Sequence, residues 1–360
     1  MRWPFGRLRP ERRREVLCSL ALLGLGLPAA VGGEALLRLH EKFGPSDIIN
    51  WETLRADLLY VDEEGLDRFI PGAQSGNIAI NSLALPGPEV ALPKPAGTLR
   101  LAFLGDSILL AAELPQDRTP SALVAAEVAE AFPGCRVDYV TVAGMAFYFD
   151  TLARYLEGLD PGVEPDAFVL LSGDVVAALT GFQSEMEADP PYLNHPQGFA
   201  LHSRLWRSIG LAQPGADPLL ARIDLDVLAG FNAGRLEELA APIGDAPTVA
   251  VIARNRARPG MSPAELMTYN RAVLSLASGL TIEGLAQLES VLAQSLTQIS
   301  EKHGWRLLDA LAAVPPDSIH YVDTVHLTEA GARRFAAALA GPLIEEIAAD
   351  PPPCAGTPRP

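Results

Sequence analysis

"TLRLAFLGDSILLAAEL", residues 98–114, runs an apolar strand-like segment into Gly105-Asp106-Ser107 and then into further apolar sequence. Gly accepts unusual backbone angles and Asp supports turns, so a tight loop at this point needs no function. A second reading gives the triplet chemistry: a serine at the carboxyl end of a buried strand stands where open α/β sheets bind their ligands. Working outward, the apolar runs "RVDYVTVA" (136–143), "DAFVLLSG" (166–173), "PTVAVIAR" (247–254) and "WRLLDAL" (305–311) have the same strand character, and helical segments separate them. That alternation predicts an α/β fold with a mostly parallel sheet covered on both faces.

Helix starts are explicit in the sequence. Thr119-Pro120 suits an N-cap and first turn, opening a helix that runs to about Phe132 and stops at Pro133-Gly134. Ser262 and Glu265 form a capping box, and Thr328 is a candidate cap for "EAGARRFAAALAGPLIEEIAA".

The second chemical motif lies in "SIHYVDTVHLTEAG", residues 318–331. Asp323 and His326 are three apart just before a helix start, a spacing that lets the carboxylate reach one imidazole nitrogen and leaves the other to take a proton. Alone this pair is commonplace. Joined to Ser107 it supplies nucleophile, base and orienter in the chain order Ser, Asp, His. Asp106 reads as a hydrogen-bonding turn residue rather than a catalyst. Asp174 either orders the site or ends its strand. Arg254, Arg256 and Arg258 follow a strand end; they hold an anionic substrate or form a solvated basic loop. His320 is the nearby rival base, and His195, His202 and His303 read as surface or loop residues. There is no G-x-S-x-G, Walker, H-E-x-x-H or C-x-x-C pattern, and no cofactor or metal is expected.

Composition sets the class. With 49% hydrophobic and 20% charged residues in 360, the chain is long and apolar enough for an ordered body. A formal net charge of -16 argues against nucleic acid as a partner. Basic charge is concentrated at residues 1–15, where six Arg and two Glu leave a net +4 on a segment expected to be cytoplasmic. Behind it, "VLCSLALLGLGLPAAVGG" (16–33) has no charge and would rise about 27 Å as a helix, against about 30 Å for a hydrocarbon core. A signal anchor over 16–37 is favoured, with a cleaved signal peptide as the alternative, and the positive-inside rule exports the chain beyond it. Residues 38–97 read as an irregular lead-in, 98–346 as the sheet domain with an insertion at 181–245, and 347–360 as a disordered Pro-rich tail. Cys135 and Cys354 either pair, as an oxidising compartment permits, or stay free.

"FLGDS" and "DTVH" resemble the first and last blocks of the SGNH or GDSL hydrolases, and "INSLALPGPEVALPKPAG" before the first block is similar to a membrane-anchored bacterial branch of that family. The resemblance implies a flavodoxin-like three-layer fold and metal-free ester hydrolysis or O-acyl transfer in the periplasm or another extracytoplasmic space. Its triad would be Ser107, Asp323 and His326. Its substrate would be an ester such as an acylated cell-envelope carbohydrate, with the membrane and envelope proteins as partners. The family's middle blocks are altered. Val142 stands at an Asn position, Gly144 is kept, Phe147 falls near a further Gly, and Ser172-Gly173-Asp174 lacks the Asn that donates to the oxyanion. With that Asn absent, the expected oxyanion donors are the N–H of Ser107 at a helix start, the N–H of Gly144, and the N–H of Ser172 or Gly173. The alternative expectation is a degenerate member serving as an envelope accessory or binding protein.

Overall fold

The computed structural model describes residues 32–33, 51–145, 147–171, 175, 178, 224–258, 261, 282–351 and 353–354. The chain divides into two compact units, Met1–Ser46 with Pro196–Gln213, and Asp47–His195 with Pro214–Pro360. The second holds the sheet and every candidate site residue. Of the expected anchor 16–37, only Gly32 and Gly33 are described, both helical. No helix among the described residues is long and apolar enough to cross a membrane.

The lead-in is ordered from Trp51 on, which corrects the irregular reading of 38–97 over that stretch. Helix α1 (Trp51–Leu58) is followed by the hairpin β1 (Leu59–Val61) and β2 (Asp67–Phe69), then the smaller hairpin β3 (Gln74–Ser75) and β4 (Ile78–Ala79). Asp62 builds the first turn: one carboxylate oxygen accepts from the N–H groups of Glu64 and Leu66, and the other from Arg68. Asn81 does the same beyond β4, its side-chain oxygen accepting from Leu83 and Leu85 at 2.9 and 3.1 Å. Leu58, Phe69, Ile78, Ile80 and Leu85 are buried in the same core as the main sheet, so this segment is part of the domain. Periodicity missed it because Asx-type side-chain bonds, rather than long ladders, hold it.

Strand β5 (Thr98–Gly105) opens the main sheet and is buried along its whole length. A short helix α2 (Ser107–Leu110), then α3 (Pro120–Ala131), leads to β6 (Arg136–Ala143). Helix α4 (Phe149–Glu157) precedes β7 (Ala167–Leu171), α5 (Leu225–Ile243) precedes β8 (Thr248–Val251), and α6 (Ile282–His303) precedes β9 (Arg306–Leu308). Helix α7 (Glu329–Ala349) closes the domain. The five strands lie in the order β6-β5-β7-β8-β9, and every pairing is parallel. α3 and α7 pack on each other, while α4, α5 and α6 form a second group. With β5 buried toward both faces, helices cover the sheet on two sides.

All five expected strands and both expected helix starts at Thr119 and Thr328 are present; the Ser262–Glu265 box lies outside the described residues. Thr119 Oγ1 accepts from Ala122 N–H, and Thr328 Oγ1 from Gly331 N–H. Part of the expected insertion 181–245 is corrected. Residues 225–243 form helix α5, packed on α4 and α6, because Leu228, Leu236, Leu239 and Ile243 give it a buried stripe. Residues 181–223 lie outside the described set. The expected tail 347–360 is corrected over its described residues alone: α7 runs on to Ala349, and Cys354 is joined to Cys135 by a disulfide, which fixes the chain there against the turn before β6.

Arg100, the third residue of β5, is fully buried. Its guanidinium makes a two-pronged pair with Asp138, its register partner on β6, at 2.7 and 2.8 Å, and donates to the carbonyls of Val163 and Ala91. Those bonds satisfy a charge that burial would otherwise penalise heavily, and they tie the lead-in to the amino end of the sheet.

Candidate active site

The chain enters the sheet in β5, turns one way to β6 and then crosses to β7 on the other side. The carboxyl end of β5 is therefore the point where the winding reverses, and there open sheets leave a crevice. Gly105 ends the strand there. A Cβ on it would meet the Leu171 carbonyl oxygen at 2.3 Å and a Leu109 methyl at 2.6 Å, so only glycine lets β5 and β7 come this close. Asp106 is fully buried and caps α2, accepting from Ile108 N–H at 3.0 Å. Ser107 is the first residue of α2 and is itself buried.

The opposite half of the site comes from residues 321–327. A bridge between Tyr321 and Leu327 and a bond from Val322 N–H to the His326 carbonyl close this loop, and Gly331 lets α7 pass the His320 carbonyl, which a Cβ would strike at 2.0 Å. Asp323 Oδ1 accepts from the N–H groups of Val325 and His326 at 2.9 and 2.8 Å. Its Oδ2 lies 2.6 Å from His326 Nδ1, and His326 Nε2 lies 2.8 Å from Ser107 Oγ. Residues 219 positions apart thus form one continuous relay from carboxylate to imidazole to hydroxyl.

The electrostatics follow from burial and these partners. Burial disfavours charge on His326, yet the hydrogen bond and charge of Asp323, then the charges of Glu113 and Asp106, outweigh it and push the imidazole up to about 9. Burial also opposes ionisation of Asp323, but the bonds from His326 and Val325 hold its carboxyl below the usual range. Glu113, which no sequence motif marks, places Oε1 3.6 Å from His326 Nδ1. Its carboxyl is raised by burial, against the opposing pull of His326. Its only trace in the sequence is a single acid in the apolar run "ILLAAEL".

The remaining candidates divide. Gly144 directly follows Ala143, the last residue of β6 and the register partner of Gly105. A Cβ there would come within 2.4 Å of the Phe147 ring, which is buried against Phe69 and Tyr155. Gly173 and Asp174 lie outside the described residues. Arg254 is paired rather than isolated: its guanidinium donates to both oxygens of Asp309, which follows β9 next to β8. His320 is held by Asp317 at 2.7 Å and His303 by Glu237 at 3.1 Å, so neither joins the relay. Among the described residues no group of three or more His, Cys, Asp or Glu has the arrangement of a metal site.

No protein-family model matches the chain, and no curated protein matches it. Several solved structures do. Axe2, an acetylxylan esterase from Geobacillus stearothermophilus, is 15% identical with a TM-score of 0.40, over 68% of this chain and 94% of its own. TesA is 12% identical with a TM-score of 0.41, over 68% and 98%. The lipase Lip_vut3 from a goat rumen metagenome is 13% identical with a TM-score of 0.41, over 68% and 97%. Superpositions this loose carry nothing about activity, which has to be argued from the site.

Proposed function

We propose that this chain is a serine ester hydrolase or O-acyltransferase that works through Ser107, His326 and Asp323. The observation that carries the reading is the unbroken path from Asp323 to His326 Nδ1 and from His326 Nε2 to Ser107 Oγ, at 2.6 and 2.8 Å. In the neutral ring, Nδ1 carries the proton and donates it in a hydrogen bond to Asp323, and Nε2 accepts the serine proton as Oγ attacks an ester carbonyl. The C–O bond to the leaving alcohol then breaks, and the imidazolium returns its proton to that alcohol. A second oxygen nucleophile, water or a sugar hydroxyl, reverses the steps and releases the acyl group. Backbone N–H groups of Ser107, Gly144 and Gly173 are the proposed oxyanion donors; Gly144 directly follows β6, whose last residue Ala143 pairs with Gly105.

The setting belongs to the same proposal. An N-terminal anchor over 16–37 would hold the domain on the outer face of the cytoplasmic membrane, in reach of acylated envelope carbohydrate. The Cys135–Cys354 disulfide supports an oxidising compartment. A second reading, a catalytically degenerate envelope binding protein, is favoured by the altered oxyanion region, where Phe147 is packed over Gly144. Covalent labelling by a fluorophosphonate separates the two. Labelling of wild type that disappears in Ser107→Ala supports the hydrolase, whereas an unlabelled, folded wild type at every pH supports the binding protein.

A further inference from the structure

The relay uses one carboxylate on the imidazole, yet two lie beside Nδ1. Asp323 takes the near place at 2.6 Å and Glu113 stands at 3.6 Å. Glu113 comes from the segment after α2, and its side chain is only 10% exposed. Its Oε2 is buried and makes no hydrogen bond, and among the described residues His326 is the one cationic group within ion-pair range of it. An acid buried in this way costs several kcal/mol unless a partner offsets it, and the partner here is the ring itself.

We propose that Glu113 is a positioning residue of this site, a second carboxylate that shares the Nδ1 side of His326 with Asp323 and favours the charged ring. The catalytic consequence rests on the hydrolase reading; the electrostatic coupling does not. Three carboxylates act on the imidazole: Asp323 from its own loop, Glu113 from beyond α2 and Asp106 from the end of β5, while the Ser107 hydroxyl meets Nε2. Before it can take the serine proton the ring must lose its own, and each carboxylate makes that loss harder. Once the serine proton has moved, the same carboxylates stabilise the imidazolium. Glu113 therefore slows attack near neutral pH and speeds it in alkali.

The opposed effects make the test specific. In the full chain carrying 15N-labelled histidine, the His326 midpoint is expected well above the ordinary value of about 6.5. Glu113→Gln is expected to lower it by roughly 1 to 3 pH units, the range for loss of an opposite charge at this distance. Glu113→Asp is expected to restore part of the shift. Fluorophosphonate labelling should rise about threefold to fivefold at pH 7 in Glu113→Gln, the gain in neutral ring outweighing its lower basicity, and fall at pH 10, a crossing of profiles that general damage to the fold does not produce. An unchanged His326 midpoint in Glu113→Gln, or a wild-type midpoint at or below about 6.5, overturns the proposal; the latter needs no variant to fold. Labelling with the same pH profile in both proteins also overturns it while leaving the hydrolase intact. Absence of labelling in a wild type whose His326 shifts as expected removes the hydrolase and keeps the coupling.

Discussion

Ser107 Oγ, held 2.8 Å from His326 Nε2, is the atom on which the proposed chemistry turns. Ser107→Ala is expected to lower ester turnover by about 10⁴-fold or more, measured with a chromogenic acetyl ester, with the denaturation midpoint little changed. Asp323→Asn keeps the shape but favours the wrong tautomer and should cost about 10⁴-fold in kcat. Because the working base is the neutral ring and His326 is pushed up to about 9, kcat/KM should climb with pH and level off only above about 9. The sign for stability is the reverse. A raised histidine contributes stability that is complete below about 6.5 and is lost as pH rises through about 9, whereas the lowered Asp323 contributes above its usual range and loses it in acid. Chemical denaturation at pH 8 and pH 10 should therefore show the domain weakening as activity grows. Ser107, Asp323 and His326 were legible in the sequence because their motifs are local; Glu113 was not, since only packing brings that acid to the ring.

At the scale of elements, the close approach of β5 to β7 is what aims the serine. Gly105→Ala would drive a methyl into the Leu171 carbonyl, a backbone atom with little room to yield. A loss of about 1–3 kcal/mol in denaturant unfolding is expected, together with slower fluorophosphonate labelling as α2 shifts. Arg100→Ala should be worse, about 3–5 kcal/mol, because it leaves the Asp138 carboxylate without its buried partner. The strands could be read ahead of the structure because both faces of a parallel sheet are covered, so each strand is a near-continuous apolar run. The hairpins before β5 could not, since strands of two or three residues give no period to detect.

For the whole molecule, the bond between Cys135 and Cys354 spans 219 positions and ties the last described residues to the turn before β6. Cys354→Ser is expected to lower unfolding free energy by about 2–5 kcal/mol while leaving ester turnover at 25 °C near wild type, read by denaturant unfolding and by initial rates. By itself the sequence determined the parallel α/β class, the five strands of the main sheet, the helix starts at Thr119 and Thr328, and the residue types of the relay, because each is written in neighbouring side chains: apolar runs, caps and turn formers. Only the tertiary structure decided that Arg254 is engaged by Asp309, that Cys135 meets Cys354, and that Glu113 stands beside His326. Each of those depends on where separate elements come to rest, and packing sets that through contacts between residues far apart in the chain.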